Sequence, residues 1–152
     1  MAYTSAEARQ QLADALADAI EDMGFALADL GAAYEQLDEH NAEILEAELF
    51  APLQRAYGRA KSTHARFASS HGLESRPFDA PSPGIPSTGV HGFIDSAVRS
   101  VAAADGGLSA LQDSSLPTEV GDTELRAALT DVRELLGGVP RRARELERTL
   151  GR

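Results

Sequence analysis

The chain has no cysteine and no tryptophan. Without cysteine there is no disulfide framework, no thiolate nucleophile and no zinc–thiolate site. Only one of its fourteen basic side chains is lysine, a bias associated with GC-rich bacterial genomes, and tyrosine and phenylalanine together number eight in 152 residues. No run approaches the ~18 consecutive apolar residues of a membrane-spanning helix. The start, MAYTSAEARQQLADALADAIED, is acidic and amphipathic and lacks the basic flank and apolar run of a secretory signal. We therefore expect a soluble cytoplasmic protein.

What remains is dominated by Ala, Leu, Glu and Arg, strong helix formers. The length fits one domain, which at this size needs neither metal nor disulfide to hold its core. The net charge of −10 is unevenly spread. Residues 1–50 carry twelve acids against Arg9 alone, residues 51–76 are basic, 77–140 acidic again and 141–152 basic. The acidic total disfavours nucleic acid, whose binding rests on neutralising phosphates. The alternation fits antiparallel helices of opposite sign, or a basic face kept for an acidic partner.

Thr4 and Glu7 form a capping-box signature, after which Leu12, Leu16, Ile20, Met23, Leu27, Leu30, Tyr34 and Leu37 recur at steps of three and four. That spacing is one apolar stripe of a helix. Gly24 and Gly31 interrupt it, and a close helix–helix approach would account for them. We expect a turn near residues 36–41, with Asp38 as the next cap. If the helix instead ran on to Phe50, it would be ~70 Å long, with Asn41 in its apolar seam as a register-fixing polar residue.

From Leu45 to Gly72 the stripe is Phe50, Leu53, Tyr57, Ala60, His64 and Phe67, with Pro52 inside the pattern and Gly72 as a stop. Residues 73–89 hold Pro77, Pro81, Pro83 and Pro86 and exclude regular structure. This segment reads as a crossover strap, pinned by Leu73, Phe78, Ile85 and Val90, or as a binding loop. Fully extended it reaches ~60 Å. Val90, Ile94, Ala97, Val101, Ala104, Leu108 and Leu111 then form a heptad seam, ended by Ser114-Ser115-Leu116-Pro117. Asp122 caps a last helix whose seam is Leu125, Leu129, Val132, Leu136, Val139, Ala143, Leu146 and Leu150, interrupted at Gly137-Gly138-Val139-Pro140.

The pattern predicts an all-α protein, a single domain with helices at about 5–37, 39–71, 90–113 and 122–150. Two long hairpins joined by the strap would form a four-helix bundle kinked at Pro52 and Pro140. Simple up-down order and a ferritin-like crossover order both fit these helices.

Chemistry-bearing motifs are sparse. Di-metal bundles use Glu-x-x-His pairs, but Leu37, Lys61, Ala68 and Thr88 precede His40, His64, His71 and His91 by three. We expect no catalytic, metal or cofactor residues. His64, Tyr57 and Asn41 are the candidate interior polar groups, and Arg55, Arg59, Lys61 and Arg66 the candidate interaction surface. Leu30-Gly31, then Phe50-x-Pro52-Leu53-Gln54 and a charged helical run, is similar to the kinked middle helix of BAR-type membrane-curving domains over residues 30–67. That resemblance implies a dimer gripping anionic lipid through those four basic residues. BAR domains are longer and strongly basic on their concave face, whereas this chain is acidic. We expect a non-enzymatic interaction or scaffold module, acting as a homodimer and open to another protein partner. A ferritin-like metal or small-ligand bundle and a membrane-binding dimer are the alternatives.

Overall fold

A computed structural model describes residues 4–74, 76–79, 81–83 and 89–151. The protein is all-α: α1 (Ser5–Glu35), α2 (Glu39–Leu45), a π-helical turn (Glu46–Phe50), α3 (Ala51–Ser70), α4 (Gly89–Asp113), α5 (Leu116–Glu119), α6 (Thr123–Gly137) and α7 (Val139–Leu150). Among the described residues no helix is long and apolar enough to cross a membrane.

The caps fall where the sequence places them. The Thr4 side chain accepts from the Glu7 backbone N–H at 3.1 Å. The turn between α1 and α2 is set by Asp38, which accepts from the backbone and side-chain nitrogens of Asn41. Asn41 is thus part of an exposed cap and not a seam residue, which corrects its expected interior role. Gly72, at φ 65°, closes α3. There the Leu73 N–H bonds back to the Ala68 carbonyl at 2.9 Å, the six-to-one closure that a left-handed glycine allows.

The two prolines are accommodated differently. Pro52 lies in the first turn of α3, directly after the π-helical turn, and the helical path continues from Glu39 to Ser70. In an α-helix the N–H of residue 52 would serve the carbonyl of Glu48, and proline has none. The Arg142 guanidinium donates to that carbonyl instead, at 3.3 Å. Near Pro140 the helix divides, but the boundary is Gly138, and Pro140 sits in the first turn of α7. The short helix α5 was not foreseen.

Neighbouring side chains give the direction of each helix. On α1 and α3, Gly24 lies against Tyr57 and the backbone of Ala13 hydrogen-bonds to His64, so the two run antiparallel. Arg66–Asp122 and Arg59–Asp131 set α6 antiparallel to α3. Arg133–Asp105 and His91–Glu147 set α6 and α7 antiparallel to α4. It follows that α4 is parallel to α3 and antiparallel to α1, its principal packing partner. The strap must therefore travel the length of the bundle between the end of α3 and the start of α4. This is two hairpins with one long crossover, the order left open by the sequence.

The core is one continuous cluster. Leu12, Leu16, Ile20, Met23 and Leu30 of α1 meet Leu45, Leu49, Leu53 and Phe67, the whole α4 seam from Ile94 to Leu111, and the α6–α7 seam from Leu125 to Leu146. Phe93, off the expected seam, is also buried, while Tyr34, on it, is 39% exposed. Because these seams close on one another, the N-terminal helices do not leave the long uncovered stripe from which a homodimer was expected. Among the described residues, Phe25 and Tyr34 are the large apolar side chains left exposed.

Candidate functional site: the groove between α1, α3 and the strap

Where α1 faces α3, Gly24 has no side chain, and the neighbouring chain comes close. A Cβ there would lie 3.5 Å from Pro81 of the strap and 3.6 Å from the Tyr57 ring. The groove so formed has a volume of about 310 Å³ and is lined by Glu21, Phe25, Tyr57, Phe78, Asp79 and Pro81 among others. Phe25 stands at it 50% exposed.

The described part of the strap is fastened by three kinds of contact. Arg76 Nη2 donates to Glu21 of α1 at 2.6 Å. Phe78 packs edge-on against the His64 ring, with centroids 5.3 Å apart and planes at 85°. Pro81 seats over Gly24. Leu73, Phe78 and Val90 pack on the core as expected, whereas Ile85 lies outside the described residues.

His64, 5% exposed, is held below the ordinary imidazole pKa, first by burial and then by the positive charge of Arg76. Asp14 and the Ala13 backbone act in the opposite direction. The Tyr57 phenol is pushed up, by burial and then by Asp79. Lys61 Nζ sits 4.2 Å from the Tyr57 ring centroid, a cation–π contact. Tyr57, His64 and Lys61 are thus gathered at one place, and the strap covers it.

The other expected residues lie elsewhere. Arg59 pairs with Asp131 at 3.1 Å, and Arg66 with Asp122 at 2.9 Å and with Glu124 at 3.0 Å. Arg55 joins Arg59, Asp131, Glu134 and Leu135 around a shallow depression between α3 and α6. Two of the four basic residues therefore face acids of α6, which is what the alternating charge of the sequence implies. Asn41 is remote from the groove, in its cap. Among the described residues no group of three or more His, Asp and Glu side chains is placed to hold a metal ion.

Phe25 escaped the sequence reading because it falls off the apolar stripe of α1. An aromatic on the polar side of an amphipathic helix was the available signal. Glu21 lies off the apolar stripe of α1, and its partner Arg76 lies 55 residues away, with no local pattern linking them.

The arrangement presents rings and prolines beside fixed charges, a surface suited to holding an apolar or mixed partner. No family model, no curated protein and no solved structure matches this chain.

Proposed function

We propose that the protein is a non-enzymatic interaction module that self-associates, with its contact surface at the mouth of the strap groove. The observation that carries this reading is Phe25, half exposed on α1 beside Pro77, Phe78 and Pro81. Aromatic side chains grouped at a surface are characteristic of protein contact sites. The homodimer expected from the sequence is retained, but its surface shifts from an uncovered helical seam to this patch.

Light scattering of the untagged protein after size exclusion, across a range of concentrations, tests the proposal. The expected result is a dimer for the native chain and a folded monomer for Phe25→Glu. A native monomer at every concentration, or a dimer indifferent to Phe25→Glu, overturns it.

A further inference from the structure

One heptad along the same α1–α3 groove the pattern of Gly24 and Tyr57 repeats as Gly31 and Phe50. At Gly24 a Cβ would already be in contact with Pro81 and Tyr57. At Gly31 a Cβ would meet nothing within 4 Å. A hollow of about 280 Å³ remains, lined by Gly31, Tyr34, Glu35, Glu46 and Phe50. The π-helical turn supplies two of these, Glu46 from its first position and Phe50 from its last. Such turns recur at functional sites.

The chemistry of the lining is specific. Two rings, Tyr34 exposed and Phe50 half-buried, stand with two carboxylates. The equivalent ring one heptad on, Tyr57, carries the protein's own Lys61 over its face. Among the described residues no cation is placed over Tyr34 or Phe50, and neither Glu35 nor Glu46 has an ion-pair partner. The first fifty residues, with twelve acids and one arginine, add a field that concentrates cations.

We infer that this hollow binds a small organic ammonium ligand, its alkyl groups on the faces of Tyr34 and Phe50 and its charge toward Glu35 and Glu46. Aromatic faces combined with carboxylates select a positive charge that carries apolar surface. The absent side chain at Gly31 provides the room. This site is separate from the Phe25 patch and does not depend on self-association.

The test is an NMR titration of the full chain with choline and, in parallel, with its uncharged carbon isostere 3,3-dimethyl-1-butanol. Choline should give saturable shifts of the Gly31 amide and the Tyr34 and Phe50 rings, with a dissociation constant of about 1 mM, as suits a ligand of this size. The isostere should bind at least tenfold more weakly. The double variant Glu35→Gln/Glu46→Gln, exposed at both positions, should weaken choline at least fivefold while leaving the rest of the spectrum unchanged. Gly31→Leu should abolish the shifts by filling the space. Equal binding of the two probes, shifts that never saturate, or a double variant that binds as the native chain does would each overturn the assignment.

Discussion

The guanidinium of Arg142 donates to the backbone carbonyl of Glu48 at 3.3 Å, the carbonyl four residues before Pro52, which has no N–H to offer it. A side chain on the last helix thereby completes the backbone of the second hairpin arm, 94 residues earlier.

This relationship predicts coupling between two positions with no direct contact. Arg142→Ala should cost about 1 kcal/mol, the net worth of a lost hydrogen bond. Pro52→Ala restores a donor to the turn, so in that background the cost of Arg142→Ala should fall by at least about 0.5 kcal/mol. Urea denaturation of the four proteins gives the cycle. Strict additivity would mean that Arg142 contributes only through its packing and its ion pair with the Glu48 carboxylate.

Asp122 does two jobs. It caps α6 by accepting from the Leu125 N–H at 2.8 Å and holds Arg66 through two bonds. Asp122→Ala should cost about 1–2 kcal/mol, in the range of a lost cap, whereas Asp122→Asn keeps the cap and should lose about 0.5 kcal/mol or less.

The Arg66 guanidinium and the cap bond hold the Asp122 carboxyl down to about 2, from an ordinary value of 3.8. A depressed carboxylate stabilises the fold above its unfolded pKa, and that stability is lost as pH falls from about 4 toward 2. With the side chain half exposed, solvent screening limits the effect to about 0.5 kcal/mol. Comparing the acid limb of the stability curve for the native chain and Asp122→Asn measures it directly.

His64 works in the same direction at higher pH. Its neutral form is favoured in the fold, so its contribution is complete above the ordinary value of 6.5 and declines as pH drops below it. Acidification should loosen the strap through Phe78, lowering the hydrogen-exchange protection factors (rates corrected for intrinsic exchange at each pH) within residues 73–83 at pH 5.5 relative to pH 7.5. In His64→Leu that difference should disappear. If it persists, the titrating group is elsewhere.

Two glycines should respond oppositely to the same substitution. At Gly24 a Cβ makes ordinary contacts, so Gly24→Ala should stabilise α1 by up to about 1 kcal/mol through helix propensity. At Gly121 a Cβ would lie 2.6 Å from the Pro117 carbonyl oxygen and 2.9 Å from Leu125. Gly121→Ala should therefore cost about 1–3 kcal/mol as the turn shifts to relieve overpacking. Thermal melts of the two variants should move in opposite directions.

The heptad seams were legible in the sequence because burial repeats with the helix. Residues Ile94 to Leu111 and Leu125 to Leu146 are buried as their spacing predicts. Asp38, Gly72 and Asp122 were readable because capping is local chemistry. Tyr34 and Asn41 failed at the turn end of the first hairpin: Ala33 rather than Tyr34 faces the core there, and Asn41 is taken up by the Asp38 cap. The π-helical turn, the Arg142–Glu48 bond and the crossover order depend on contacts between distant residues. The same seams would serve either bundle order. Of the groove, Tyr57 and His64 were visible from their stripe, but Phe25, Glu21 and Arg76 acquire their places only when the strap is laid over α1.

The pairing of helices across the strap has a consequence for the integrity of the chain. The closest partner of α1 is α4, and that of α3 is α6, so each hairpin is half a core and the interface between them is the main body of the protein. The covalent link adds chiefly a local concentration of one half around the other, a modest entropic term that grows slowly with loop length. A chain severed between Leu73 and Gly89 keeps all of its helix-to-helix contacts. Its two fragments, made separately and mixed, should reassemble into the same helical body, with a stability that rises with fragment concentration because the two halves must first meet.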